Sequence, residues 1–98
     1  MKKLFVLVRT DLNPAYRAVQ ACHAVAEFVL NRPNVWTNEI LIYLGVKSLF
    51  SLEIIKDRFK KQDIDFIEFR EPDLNNEITA IATINENKII QKLNLLKD

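Results

Sequence analysis

The sequence predicts an α/β fold: a three-layer α/β/α sandwich with helices on both faces of a mixed four-stranded sheet. Strands and helices alternate along the chain, in the order β-α-β-α-β-β-α. The first two strands are continuous apolar runs, LFVLV at 4–8 and ILIYL at 40–44, which is typical of strands covered on both faces. The connection between the third and fourth strands has no helix, so at least one strand is expected to run antiparallel.

The first two helices are predicted from their start and stop signals. Asn13 is a good N-cap residue and Pro14 suits the first helical position, so the first helix is expected to run to about residue 30, ahead of Pro33. The second helix, at about residues 48–62, follows Gly45 and Ser48. Its apolar residues share one face: Leu52, Ile55 and Phe59.

The second half of the chain predicts two more strands and a last helix. IDFIEF at 64–69 is more polar, so it is expected near a sheet edge, and EPDLNN at 71–76 is rich in turn residues. In EITAIATI at 77–84, strict alternation places Thr79 on the same face as Ile81. Asn85 is expected to cap a last helix whose apolar residues recur at helical spacing: Ile89, Ile90, Leu93 and Leu96.

Composition limits the class of protein. The 98 residues fit one domain, 1–98, of ordinary globular composition, with 49% apolar and 28% charged residues. With a single glycine, Gly45, neither a phosphate-binding P-loop nor a dinucleotide-binding glycine turn can be built. One Cys and one His leave a structural zinc site without enough ligands, so we expect no metal and no cofactor.

Charge and hydropathy bear on location and partners. No apolar run approaches the ~20 residues that span a bilayer, and the short N-terminal run is unlike a signal peptide. Cys22 is the single cysteine, which fits a reducing compartment, so we expect a cytoplasmic protein without a membrane partner. The net charge is +1, and a polyanion would therefore need a local basic patch.

A polar stripe follows the first helix. Tyr16, Gln20, His23 and Glu27 fall within about 60° of one another around the helix axis. The opposite side carries the residues expected to pack on the sheet: Ala18, Ala21, Cys22, Val25, Phe28 and Val29. A solvated helix face is the ordinary reading of such a stripe. The alternative is a ligand site, because the stripe begins next to the carboxyl end of a buried strand.

Two motifs at this position carry a resemblance. RTDL follows the first strand, and the helix contains AVQACHA. This pairing resembles the archaeal/eukaryotic-type peptidyl-tRNA hydrolase family, and the order of elements is similar over nearly the whole chain. The resemblance implies a mixed four-stranded sheet, a homodimer, and metal-independent hydrolysis of the ester between a peptide and the 3′ end of tRNA, with peptidyl-tRNA as the substrate.

The resemblance also implies site residues. Those that match family positions are Arg9, Asp11, Gln20 and His23. Tyr16 stands where the family has a lysine, and Arg17 follows it. Asp73 is the nearest equivalent of a family aspartate, with Glu71 as a substitute. Thr79 is the expected match for a site threonine, and Glu77 competes with it because the register is open by two residues.

Roles follow from the chemistry of ester hydrolysis. His23 is expected to act as general base or to position water, with Asp73 orienting it. Gln20 and Thr79 would donate hydrogen bonds to the substrate. The residues expected to bind the substrate are Arg9, Asp11, Tyr16 and Arg17, the two arginines through phosphate.

Two questions stay open at the level of sequence. The basic segment of the second helix, Lys56, Arg58, Lys60 and Lys61, would contact tRNA phosphates or form a solvated face. The chain is an enzyme or a non-catalytic interaction or ligand-binding protein of the same fold. The missing lysine at position 16 and the small net charge favour the second class, whereas the retained Arg9, Asp11, Gln20 and His23 favour the first.

Overall fold

A computed structural model describes residues 2–96 of the chain. The elements, in chain order, are β1 (Lys3–Arg9), α1 (Pro14–Asn31), β2 (Ile40–Val46), α2 (Leu49–Lys61), β3 (Ile67–Glu71), a 3-10 turn (Pro72–Leu74), β4 (Glu77–Thr83), α3 (Lys88–Gln91) and β5 (Asn94–Leu95). None of the helices in this part of the chain has the length and apolarity needed to cross a membrane.

The α/β class is confirmed, and the expectation of four strands is wrong. Within residues 2–96, the sheet has five strands in the order β3-β4-β1-β2-β5. β1 and β2 are parallel, and the other neighbouring pairs are antiparallel. The missed strand, β5, has two residues and pairs with Leu44 and Gly45 of β2, which is too short for its sequence to show an alternating pattern.

Apolar side chains pack on both faces of the sheet, so the molecule has three layers. On one face, α1 and Trp36 pack on residues of β1 and β4 such as Leu4 and Ala80. On the other face, α2 and α3 pack on residues such as Leu7 and Ile81. α1 lies over β1, β4 and β3, and the α1-side surface of β2 therefore has less cover: Leu41 is 52% exposed.

The helix starts follow hydrogen-bonding side chains. Asn13 accepts from the Tyr16 backbone N–H and Ser48 accepts from that of Ser51, as expected for N-caps. The last helix differs from the expectation, because Asn87 caps it in place of Asn85. β3 also begins three residues later than the predicted strand at 64–69.

The predicted last helix ends after one turn because its apolar residues belong to two layers. Ile89, Ile90 and Leu93 pack on the α2 side of the sheet. Leu96 packs on the α1 side, which an uninterrupted helix on one face could not achieve. A Cβ atom at Gly45 would lie 2.9 Å from Leu96 Cδ2. The single glycine thus gives Leu96 room beside β2.

The buried face of α1 differs from the prediction. It consists of Arg17, Gln20, Ala21, Ala24 and Phe28. Ala18, Cys22 and Val29, which were expected to pack on the sheet, are exposed. Cys22 in particular is not a core residue. Relative to the prediction, α1 is therefore rotated about its axis. Part of its polar stripe faces the sheet, and an apolar face points outward.

The turns use Asn and Asp where left-handed backbone is needed. Positive φ angles occur at Asn34, Asn38, Asp63, Asn75 and Asn76. These two residue types tolerate the left-handed region better than other side chains do. The consecutive pair at 75 and 76 connects the 3-10 turn to β4.

Candidate functional site

Gln20 joins α1 to two strands. Its side chain has no exposed surface, so its amide must find partners inside the protein. The Thr79 hydroxyl donates to Gln20 Oε1 at 2.6 Å, and Gln20 Nε2 donates to Glu71 Oε1 at 2.8 Å. The amide therefore fixes the position of a carboxylate at the end of β3.

A β-bulge turns Thr79 toward Gln20. Phe69 pairs with Ala80 and Arg70 with Ile78, so Thr79 is an extra residue in β4. Its side chain reaches α1, on the same side of the sheet as Ala80. Strict alternation predicted the opposite face, beside Ile81. Bulges re-aim single side chains in this way and are frequent next to active sites.

Glu71 is a carboxylate held by several donors. Besides Gln20, the Asp73 backbone N–H donates to its Oε2 at 3.3 Å. The Gln20 hydrogen bond holds the pKa of Glu71 below its ordinary value; the Asp73 N–H, the charge of His23 and the Tyr16 hydroxyl act in the same direction. Glu71 is therefore ionised at neutral pH.

His23 and Tyr16 flank this carboxylate. The His23 ring is exposed and stacks on the ring of Phe69, with centroids 4.4 Å apart and planes 7° from parallel. Burial raises the pKa of Tyr16, and the negative charges of Glu71 and Asp73 raise it further. Tyr16 thus keeps its phenolic proton at neutral pH. We call Tyr16, Gln20, His23, Glu71 and Thr79 the Gln20 site.

The structure separates residues that compete in the sequence. Glu71 contacts Gln20, while Asp73 is exposed and contributes its backbone N–H to Glu71. Thr79 contacts Gln20, while Glu77 accepts from Arg9. Glu27, the last member of the predicted stripe, accepts from Asn31 instead.

Arg9 and Asp11 form a unit beside this site. The Arg9 side chain is buried and binds both carboxylate oxygens of Asp11, at 3.0 and 2.9 Å. It also donates to Glu77 at 2.8 Å and to the Ile78 carbonyl at 3.2 Å. The hydrogen bond from Arg9 lowers the pKa of Asp11. The unit ties the loop after β1 to the start of β4.

Arg17 also serves the protein's own backbone. It is buried and donates to the carbonyl oxygens of Thr10 and Leu12, both at 3.1 Å. The basic residues of α2 lie in the layer on the other side of the sheet from α1. Among them, Lys56 pairs with Glu53 at 2.8 Å.

The arrangement places a base, His23, and a hydrogen-bond donor, Tyr16, beside the fixed carboxylate of Glu71. The exposed imidazole can accept a proton, the Tyr16 phenol can donate a hydrogen bond, and Glu71 can stabilise a positive charge on His23. Within residues 2–96, no three His, Cys, Asp or Glu side chains are grouped in a way that could hold a metal ion.

Two features of the site were not predicted from the sequence. Phe69, the platform of His23, is two residues before Glu71 and so lies on the same face of β3, a spacing that could have drawn attention to it. The bulge at Thr79 leaves no such signal, because EITAIATI alternates without a glycine or proline.

Comparisons with known proteins bear on the fold. No protein-family model and no curated protein sequence matches the chain. Among solved structures, the chain is similar to a protein of unknown function from Agrobacterium tumefaciens strain C58, with a TM-score of 0.76 and 14% sequence identity over 98% of each chain. At this identity the similarity shows a shared fold alone.

Proposed function

We propose that this chain is a hydrolase of the peptidyl-tRNA hydrolase type, which cleaves the ester between a peptide and the 3′ end of tRNA without a metal. Its place would be the translation machinery of the cytoplasm. One arrangement above all supports the proposal. The chain of hydrogen bonds Thr79–Gln20–Glu71 holds a carboxylate close enough to His23 for the two side chains to interact electrostatically.

In this reaction His23 acts as the general base. It takes a proton from a water molecule as the water oxygen attacks the ester carbonyl carbon. The charge of Glu71 stabilises the resulting imidazolium, so Glu71 takes the role that the sequence assigned to Asp73. When the bond to the ribose 3′ oxygen breaks, His23 returns the proton to that oxygen. Gln20 and Thr79 are positioning residues, since they hold Glu71.

Tyr16 stabilises the oxyanion. Because its pKa is raised, its hydroxyl keeps a proton, which acts on Glu71 in the free protein and turns to the carbonyl oxygen as negative charge develops there. Donors aimed at such an oxygen contribute a large share of catalysis in acyl transfer. Tyrosine in place of lysine would then supply a hydrogen bond without a full positive charge.

Turnover of N-acetylaminoacyl-tRNA tests this proposal. The wild-type protein is expected to release the N-acetylamino acid over many cycles. His23→Ala should lose about 10²- to 10⁴-fold in kcat, the usual contribution of a general base. Glu71→Gln should lose activity with KM little changed, because the amide cannot stabilise the imidazolium. Glu27→Gln is the matched control for Glu71→Gln. Glu27 is on the same helix as His23, but its carboxylate accepts from Asn31 and not from a residue of the Gln20 site.

Two results would decide against the proposal. A wild-type protein without turnover at high enzyme concentration overturns the hydrolase. Full activity in His23→Ala moves the reaction away from the Gln20 site.

The second candidate is a non-catalytic ligand-binding or interaction protein. It is favoured by the use of Arg9 and Arg17 inside the protein, and by the position of the α2 cations in the layer away from the Gln20 site. Salt dependence separates the two candidates. The hydrolase should bind tRNA through its phosphates, and this binding should weaken steeply as the salt concentration rises. The second candidate should show no binding to tRNA at any salt concentration.

A further inference from the structure

We infer that Phe69 is a positioning residue for His23, because its ring holds the imidazole in one plane and so directs the nitrogen that receives the proton of water. Phe69 acts through His23 and takes no part in bond making. The kinetic part of the inference rests on the hydrolase reaction proposed above. The orientation of the imidazole can be measured whether or not that reaction occurs.

The two rings form a nearly parallel stack. Their centroids are 4.4 Å apart and their planes differ by 7°. Carbon atoms in contact are about 3.5–4.0 Å apart, so a centroid distance of 4.4 Å means that the rings are offset sideways. Offset stacking is a favoured arrangement of two aromatic rings. Phe69 therefore covers one face of the imidazole, and because His23 is exposed, the rest of the ring is open to solvent.

A stacked imidazole has less freedom than other exposed side chains. Exposed side chains change rotamer within picoseconds to nanoseconds, and each rotamer of His23 would point its nitrogens in a different direction. A general base must lie within hydrogen-bond reach of the proton that it removes. In neutral imidazole one nitrogen accepts, and its lone pair lies in the plane of the ring. Fixing this plane therefore fixes the direction from which water can give up its proton.

Strand β3 carries both groups that act on His23. Phe69 and Glu71 are two residues apart on this strand, so their side chains lie on the same side of the sheet. Phe69 packs with the apolar cluster under α1, and Glu71 accepts from Gln20. The stack sets the plane of the imidazole, while the charge of Glu71 acts on the same ring.

The backbone of Phe69 is anchored at the β-bulge. Phe69 pairs with Ala80 of β4, and its carbonyl oxygen lies 3.5 Å from the Thr79 hydroxyl. The same hydroxyl donates to Gln20 on α1. The ring that stacks on His23 and the Glu71 carboxylate thus share one support, which joins β3, β4 and α1.

Packing alone does not require an aromatic ring at position 69. Phe69 is partly buried against the apolar residues on the α1 side of the sheet. Leucine is also apolar and fills much of the same volume, but it has no flat face on which an imidazole can stack. Phe69→Leu therefore removes the stack and keeps an apolar contact, whereas Phe69→Tyr keeps the ring. These two variants separate positioning from packing.

Phe66→Leu is the matched control. Phe66 is also partly buried, but it packs on the α2 side of the sheet, where its ring meets that of Phe59 at a centroid distance of 5.7 Å. The chemical change is the same, and it lies on the face of the sheet opposite to His23. Any effect that Phe69→Leu shares with Phe66→Leu is a loss of packing.

Proton NMR measures the orientation of the imidazole. His23 is the single histidine of the chain, so its two ring C–H signals are assigned without ambiguity. Protons above the face of a benzene ring are shielded, so at least one signal should lie upfield of its position in the urea-unfolded protein. Phe69→Leu should move it toward the unfolded position, whereas Phe69→Tyr and Phe66→Leu should not. Spectra are compared at alkaline pH, so that changes of protonation do not contribute.

Kinetics measure what the orientation contributes to the reaction. With N-acetylaminoacyl-tRNA, Phe69→Leu should lower kcat by about 10- to 100-fold with KM little changed, as expected when a catalytic group is displaced by up to about 1 Å. Phe69→Tyr should restore most of the wild-type kcat, and Phe66→Leu should keep it.

The outcomes distinguish this inference from the hydrolase itself. If the wild-type protein has no turnover, the hydrolase is wrong and the NMR spectra decide: a His23 signal that moves in Phe69→Leu but not in Phe66→Leu supports the inference, and a signal that stays overturns it. If the wild-type protein is active, an unchanged kcat in Phe69→Leu, or an equal loss in Phe66→Leu, overturns the inference while the hydrolase stands.

Discussion

Gln20 and Cys22 are two residues apart on one helix and have exchanged the environments that their chemistry suggests. The amide is fully buried between Thr79 and Glu71, and the thiol is exposed. The spacing of Tyr16, Gln20 and His23 correctly placed them together. The side of α1 that faces the sheet could not be predicted from the sequence, because the helix has apolar residues on both sides.

The pair Gln20–Thr79 can be tested by its coupling. Gln20→Leu should lower the free energy of unfolding by about 2–3 kcal/mol, because it leaves the Thr79 hydroxyl and the Glu71 carboxylate without this partner. Thr79→Val should cost about 1–2 kcal/mol. The double variant should cost less than the sum by about 1 kcal/mol. Urea unfolding measures all three, and additive effects would contradict the coupling.

The helix starts were predicted correctly, because the sequence signals for them are local. Asn13 and Ser48 cap the helices predicted for them, because a cap depends on neighbouring residues alone. The misses depend on distant contacts. The bulge at Thr79 is linked to the contact that its side chain makes with α1. The end of α3 is linked to the space beside Gly45 that Leu96 occupies.

The close approach at Gly45 predicts a stability effect. In Gly45→Ala the new Cβ would lie 2.7 Å from Thr10 Cγ2 and 2.9 Å from Leu96 Cδ2. Both side chains can shift, so we expect a loss of about 1–2 kcal/mol, measured by thermal or urea unfolding. Adding Thr10→Ser removes one of the two clashing atoms and should recover part of the loss. A double variant no more stable than Gly45→Ala would place the strain elsewhere.

For the whole molecule, the sequence predicted the α/β class and the alternation of elements, and underestimated the sheet by one strand. The class follows from long apolar runs and helix periodicity, which average over many residues. β5 has two residues and exists by pairing with β2, so it has no pattern of its own. The Gln20 site could be predicted in part. Helix spacing predicted the residues that α1 contributes, whereas choosing Glu71 over Asp73 required knowledge of the path of the chain after β3.

Carboxylates paired with cations predict acid sensitivity of the whole molecule. Hydrogen bonds from Arg9, Lys56 and Arg32 lower the pKa values of Asp11, Glu53 and Asp65, respectively. A carboxyl group with a lowered folded pKa stabilises the fold above its unfolded pKa. That contribution is lost as the pH falls through the folded pKa. Stability should therefore decline below about pH 4.

The Arg32–Asp65 pair isolates one such contribution. In Arg32→Gln the pKa of Asp65 should return toward its ordinary value of 3.8. The difference in urea midpoint between wild type and variant should be largest at pH 7 and should shrink as Asp65 becomes protonated. A difference that is the same at pH 7 and pH 2.5 would assign the effect to packing. Lys61→Gln serves as a control for the loss of an exposed cation near a helix end.

The left-handed positions named above, all within residues 2–96, have a consequence for the unfolded chain. Each is occupied by Asn or Asp, and glycine occurs once in 98 residues. Glycine would adopt these angles without steric cost, but it also widens the range of backbone conformations available to the denatured ensemble. The chain accepts slight strain in its turns and in return has less disorder to lose when it folds.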